Sequence, residues 1–199
     1  MRPIALILVG SAVLAGCGSS STVITITDRV TETVYTQPGS TVAVPSSGPL
    51  AKGGYAEIVR GLRKLLGGDP IVLEVLVYTD QVRFRVYARD GSKNVDDYWW
   101  RGGVLMPPEP YKYSSSEDLD RESFALESIS ADGPYRLAAA ASKIELDGAA
   151  KSTVAVFASR GYGPDDSRPV RLTTSLSGTR HDIYLTADAL GTIVERRDS

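Results

Sequence analysis

The sequence predicts an α+β fold in which two αβββ repeats form one antiparallel sheet with two helices packed on one face. The order helix–strand–strand–strand occurs twice, at about residues 53–111 and 131–197. Each copy ends in an aromatic strand, a glycine-containing turn and a short apolar tail. Because an αβββ unit covers only one side of its sheet, two units side by side make a two-layer sandwich.

The first repeat opens with an amphipathic helix. Its apolar residues recur at helical spacing and share one face, which carries Tyr55, Ile58, Val59, Leu62, Leu65 and Leu66. Gly67-Gly68 and then Pro70 end the helix.

Three strands complete the first repeat. In the first, Ile71–Thr79, one face is expected to carry Ile71, Leu73, Val75 and Val77. The second, Val82–Arg89, alternates apolar residues with Arg83, Arg85, Tyr87 and Arg89, which predicts one wet, cationic face. The third includes Tyr98-Trp99-Trp100, and Gly102-Gly103 turns the chain into Val104–Met106. Pro107, Pro108 and Pro110 should prevent regular structure, and residues 112–121 resemble a polar loop.

The second repeat follows a short strand around Phe124 and Leu126. Gly133-Pro134 opens a helix that Asp147-Gly148 closes, and its apolar face carries Leu137, Ala140, Ala141 and Ile144. Strands are predicted at Thr153–Ala158, Val170–Ser177 and around Ile183–Leu185, with a turn at Asp188–Gly191 before Ile193-Val194.

The N-terminus has the pattern of an export signal. Arg2 supplies a positive charge, and Ile4–Leu14 is almost wholly apolar. A membrane-spanning helix needs roughly 20 apolar residues, so this run is too short to be one. Leu14-Ala15-Gly16-Cys17 resembles the lipobox of bacterial lipoproteins. The resemblance implies that residues 1–16 are a signal peptide and that Cys17 carries a thioether-linked diacylglycerol. It places the protein on the extracytoplasmic face of the cell membrane.

Residues 17–52 differ in composition from the rest of the chain. They are rich in Ser and Thr with interspersed Val, and Pro and Gly punctuate their second half. We interpret them as a tether between the lipid and a domain at 53–199. Alternating Val and Thr also has strand propensity, so part of the tether could instead add to a sheet edge.

The two repeats resemble PepSY-type repeats and the tandem arrangement of β-lactamase inhibitor proteins. Tyr184, Asp188, Gly191, Ile193 and Val194 are similar to the end of a PepSY repeat. The resemblance implies a binding or inhibitory module in the envelope and supplies no catalytic residue.

Few residues suggest catalysis or metal binding. Cys17 and His181 are the only cysteine and histidine, which makes catalytic triads and zinc sites improbable. Removal of residues 1–16 changes the formal charge from −2 to −3 by deleting Arg2. No basic patch for nucleic acid is evident. The carboxylate pairs Asp96-Asp97 and Asp165-Asp166 match no calcium loop. We therefore expect no enzyme activity, no cofactor and no metal.

A candidate binding face combines Arg83, Arg85, Tyr87, Tyr98, Trp99 and Trp100. Along a strand, Trp99 points opposite to Tyr98 and Trp100, so one face can pack on the helices while the other presents an aromatic side chain. Aromatic and Arg side chains are enriched at interface hot spots. This predicts an envelope protein or cell-wall partner. Burial of both faces, carriage of an apolar ligand, and a hydrolase with an unrecognised site stay open as alternatives.

Overall fold

The computed structural model describes residues 47–88, 92–114, 118–147, 154–161 and 168–199. The lipobox, most of the tether, Arg89 and Asp165-Asp166 lie outside these ranges. The described α-helices and strands, in chain order, are α1 (Gly54–Leu66), β1 (Ile71–Val77), β2 (Gln81–Tyr87), β3 (Val95–Arg101), β4 (Val104–Leu105), β5 (Glu109–Pro110), α2 (Leu119–Glu122), β6 (Phe124–Ala125), α3 (Gly133–Ala141), β7 (Val156–Arg160), β8 (Val170–Ser177), β9 (Asp182–Ala187) and β10 (Ile193–Asp198). A short 3-10 helix, Leu126–Ser128, follows β6.

All ten described strands belong to one antiparallel sheet. Its order is β10-β9-β8-β7-β1-β2-β3-β4, while β5 pairs with β3 and β6 with β1. The first strands of the two repeats, β1 and β7, pair at the centre, and each repeat continues outward from them. The helices α1 and α3 contribute to the same apolar core on one face of this sheet. The predicted fold class is confirmed.

Helix α1 forms where the apolar spacing predicts it. Tyr55, Ile58, Val59 and Leu62 are buried, and Gly67 closes the helix in a left-handed conformation with φ 75°. Leu65, predicted on the buried face, is 58% exposed because it lies at the margin of the apolar stripe in the last turn. The core also includes Leu50, which is fully buried three residues before the predicted start of the domain.

A β-bulge in β1 changes the predicted faces. The pairing with β2 shifts between Val72 and Glu74, so Val72 joins Val75 and Val77 in the main core. Ile71 and Leu73 pack instead in a second cluster with Tyr87. The predicted grouping of Ile71 and Leu73 with Val75 and Val77 was wrong, because the strand is apolar on both faces and its sequence does not reveal the bulge.

Helix α3 begins as predicted, with Pro134 in its first turn. It ends at Ala141, well before Asp147, so the predicted C-terminus was wrong. Its buried side is formed by Leu137, Ala138 and Ala141, with Ala138 more deeply buried than the predicted Ala140.

Two short elements contradict the predicted irregular segments. Pro110 follows Glu109 in β5, which pairs with the end of β3 away from β4. Residues 119–122 form one helical turn, because the Asp118 carboxylate accepts a hydrogen bond from the Arg121 N–H and buried Leu119 anchors the turn. Strand β8 matches its predicted bounds, whereas β7 begins and ends later than predicted.

Candidate functional site

The sheet has a second face opposite the two long helices, which we call the open face. Strand register places on it alternate residues of each long strand, including Glu74, Leu76, Arg83, Arg85, Asp97, Trp99, Phe157, Thr173, Tyr184 and Thr186. The residues between them, such as Val75, Phe84 and Leu172, are fully buried beneath the helices.

The structure divides the six predicted binding residues between the two faces. Cross-strand pairing sets Arg83 opposite Trp99, Phe84 opposite Tyr98 and Val82 opposite Trp100. Tyr98 and Trp100 pack against the main core on the helix side. Arg83, Arg85, Tyr87 and Trp99 therefore belong to the open face, and the predicted opposition of Trp99 to Tyr98 and Trp100 is confirmed.

The predicted wet face of β2 is covered along half its length. Tyr87 is 4% exposed and Arg85 is 9% exposed. Tyr87 forms a small apolar cluster with Val95 and Leu119, against which Tyr111 and Tyr113 pack. The segment that follows β5 thus crosses this end of the sheet, and the expectation of solvent at Arg85 and Tyr87 was wrong.

Buried Arg85 is held by two carboxylates. Its Nε and Nη2 donate to the Asp97 oxygens Oδ1 and Oδ2 at 2.9 and 3.1 Å, and its Nη1 lies 2.8 Å from Glu74 Oε1. Arg83 pairs with the same Glu74 carboxylate. Burial alone would lower the pKa of Arg85, but the Asp97 hydrogen bond and the two negative charges raise that pKa above its usual value.

Trp99 carries the aromatic surface at the other end of the open face. The Arg101 guanidinium carbon lies 3.9 Å from its ring centroid, and that of Arg83 lies 5.6 Å away. Both distances permit cation–π attraction. We call Arg83, Trp99 and Arg101 the Trp99 patch. It joins an aromatic ring to two cations, and Arg101 is exposed.

A broad groove crosses the open face over the second repeat. Its volume is about 850 Å³, and hydroxyl side chains of Thr173, Ser175 and Thr186 line it beside Leu76 and Phe157. Tyr184, also in its lining, is 48% exposed. Residue patterns did not predict this groove, since it depends on how β7, β8 and β9 are paired.

His181, the only histidine of the sequence, lies at the turn between β8 and β9. Asp147 accepts hydrogen bonds from the Thr179 and Arg180 backbone N–H groups at 3.2 and 2.8 Å. His181 Nδ1 lies 3.5 Å from the same carboxylate. Asp147 therefore fixes the connection between β8 and β9, with His181 beside it.

The described residues offer neither a metal centre nor a membrane-spanning helix. Within them, no group of three or more His, Cys, Asp or Glu side chains could hold a metal ion. None of the helices in the described part of the chain combines the length and apolar character needed to cross a membrane.

Comparisons with known proteins give a distant structural likeness. The chain is similar to a candidate lipoprotein from Clostridium difficile 630 at 13% identity and a TM-score of 0.46. The match covers 73% of this chain and 92% of that one. No protein-family model matches the chain, and no curated protein matches it.

Proposed function

We propose that this protein is a lipid-anchored, non-enzymatic lipoprotein of the cell envelope that binds a protein or cell-wall partner through the Trp99 patch. The observation that carries the binding function is the approach of two guanidinium groups to the Trp99 ring, on the face that the long helices leave uncovered. Large aromatic rings with adjacent arginines supply contact area and charge at interfaces.

The anchor rests on the N-terminal sequence. Leu14, Ala15 and Gly16 precede Cys17 directly after the apolar run, as in a lipobox. Diacylglycerol would supply two acyl chains, which together hold a protein to a membrane firmly. The Ser- and Thr-rich composition between Cys17 and Leu50, the first core residue among those described, supports a tether from the lipid to the domain.

Capture from detergent-solubilised envelopes tests the binding function. The full-length chain, Trp99→Ala and Arg101→Ala would each serve as bait, with Tyr184→Ala as the matched control. Tyr184 is an exposed aromatic residue on the same face but outside the patch. Trp100 is unsuitable, because it packs against the core and its loss would disturb the fold.

We expect the same partner with wild type and Tyr184→Ala, and its loss with the two patch variants. Direct binding of that partner, purified, should weaken at least about tenfold for Trp99→Ala, the range of an interface hot spot. Equal capture by all four proteins, with their melting temperatures unchanged, would exclude the patch.

A second candidate function is carriage of an apolar ligand. A groove of about 400 Å³ lies between α1 and the β3–β4 edge, with Ile58, Trp100 and Leu105 among its lining residues. A fluorescent fatty acid displaced by unlabelled lipid would support this function if Gly61→Leu, which fills the groove near Leu105, abolished the binding. The same affinity in both proteins would exclude the groove.

An inhibitory role is a finer form of the first proposal. It is supported by the resemblance of the two αβββ repeats to PepSY-type repeats and β-lactamase inhibitor proteins. Addition of the purified chain to a β-lactamase assay tests it most simply, with Trp99→Ala as the comparison. Inhibition by wild type alone would support the role, and no inhibition at micromolar concentrations would exclude this enzyme class as the target.

A further inference from the structure

A small cavity opens beside buried Arg85, and no residue of the Trp99 patch is among its described lining. Its volume is about 270 Å³, and its lining includes Glu74, Arg85, Tyr111, Phe157, Arg160 and Arg168. Strands β1, β2 and β7 form its floor, and Tyr111 covers one side with its ring 3.4 Å from the Arg85 guanidinium carbon. Arginine side chains and aromatic rings therefore meet in one half-open cavity.

Arginines outnumber acidic residues among the side chains described in this lining. Three are arginines, and two are the glutamates Glu74 and Glu122. Glu74 is shared between Arg85 and Arg83, and Asp97 also pairs with Arg85, so that these four charges cancel as a group. Outside this group, the described lining holds Arg160, Arg168 and Glu122.

Arg160 is held rigidly by neutral partners. Its Nε donates to the Ser123 carbonyl at 2.8 Å, and its Nη1 donates to the Arg168 carbonyl at 2.9 Å. Both acceptors are backbone oxygens, which fix the guanidinium plane without cancelling its charge. A planar, fixed guanidinium is suited to a carboxylate, because the two groups match in a two-bond geometry.

We infer that this cavity binds a small organic carboxylate, with the carboxylate at Arg160 and an apolar portion between Tyr111 and Phe157. An apolar cavity of about 150 Å³ is enough for benzene, so the larger space here accommodates an aromatic ring and its carboxylate. The partner of the Trp99 patch and this ligand are separate, and either proposal can fail without the other.

Titration calorimetry of the full-length chain in detergent micelles tests the inference. Benzoate is the probe, benzamide is its neutral counterpart of the same shape, and empty micelles correct for partition into detergent. Benzoate should saturate below about 10 mM, and benzamide should bind at least about tenfold more weakly because it lacks the charge. Added salt should weaken the binding of benzoate.

Three variants test whether the charges of the cavity lining determine the affinity for benzoate. Arg160→Gln should weaken benzoate binding about tenfold or more. Glu122→Gln removes from the lining a negative charge that repels benzoate, and it should tighten the binding of benzoate about threefold. Arg197→Gln is the control, since Arg197 is an exposed arginine that pairs with Glu195 outside the cavity.

Two results of the calorimetry would contradict a carboxylate site. The inference is overturned if benzoate gives no saturable heat, or if benzamide binds equally well, which would indicate an apolar cavity only. Arg160 also joins two backbone segments, so circular dichroism must show that Arg160→Gln is folded. If that variant unfolds, Glu122→Gln decides alone: unchanged or weaker binding of benzoate overturns the inference.

Discussion

Arg85 is a cation whose charge the fold itself must balance. It is 9% exposed, and Asp97 and Glu74 hold its guanidinium from two sides. Removing an ion from water costs several kcal/mol unless partners and hydrogen bonds compensate for it. Arg85 therefore belongs to the framework of the open face, although the sequence pattern suggested a side chain presented to solvent.

Loss of Asp97 should therefore be costly. Asp97→Ala leaves Arg85 with a single carboxylate, that of Glu74, which Arg83 shares. We expect the free energy of unfolding to fall by about 3 kcal/mol in urea titrations. The control is Asp198→Ala, because the Arg196–Asp198 pair is exposed and its loss should hardly change the stability. Equal losses in the two variants would show that burial of the Arg85 pair has no energetic consequence.

The Tyr55 hydroxyl is a second buried polar group, and this one has no partner among the described residues. Burial raises the pKa of Tyr55 above the usual value for a tyrosine, so its phenol should stay protonated when exposed tyrosines ionise. Tyr55→Phe removes a hydroxyl that gains nothing from burial, and it should leave stability unchanged or raise it by up to about 1 kcal/mol. A clear loss of stability in urea titrations would instead reveal a bonded water.

At this scale, the sequence predicted side-chain direction better than side-chain surroundings. Alternation along β3 correctly opposed Trp99 to Trp100, since the period of a strand is independent of its neighbours. The partners of Arg85 depend on strand register, and Tyr111 comes from a segment with no periodicity. Neither could be obtained from local spacing.

Among the elements, α1 and the turn between β3 and β4 were predicted more faithfully than the faces of β1. Apolar spacing located α1, and Gly102-Gly103 correctly marked the turn from β3 to β4, because both signals are local. The bulge in β1 gave no such signal, since the strand is apolar on both sides. The pairing of β5 with β3 also has no local signal in the sequence, because it depends on where the folded sheet places the edge of β3.

The turn between β9 and β10 shows how one glycine can join two elements. Gly191 has φ 85°, and a Cβ there would overlap the Gly133 carbonyl oxygen at the start of α3. Gly191→Ala should lower the free energy of unfolding by about 3 kcal/mol, from left-handed strain and the clash together. Gly103→Ala is the control, because Gly103 has φ 89° with open space around it and should lose only about 1 kcal/mol. Thermal unfolding would compare the two, and equal losses would exclude the contact with α3.

For the whole molecule, the repeat pattern explains why one sheet face stays open. Each repeat brings one long helix, and pairing of β1 with β7 sets both helices over the same side. The sequence predicted this arrangement because repetition of an αβββ order constrains the layers. It did not predict the cover over Arg85 and Tyr87, which depends on where the segment after β5 returns to the sheet.

A lipid anchor at Cys17 would determine where the whole molecule is held, and it can be tested on the intact protein. If Cys17 carries diacylglycerol, the chain extracted from envelopes should begin at residue 17 and exceed its peptide mass by the lipid. Cys17→Ala removes the only thiol, and should therefore abolish both cleavage before residue 17 and the added mass. Ser19→Ala is the control, because it leaves the sequence from Leu14 to Cys17 intact. Intact-mass spectrometry of the three proteins decides the matter: an unmodified Cys17 in the wild-type chain would overturn the lipoprotein proposal, whereas the binding tests at Trp99 and Arg160 would keep their meaning.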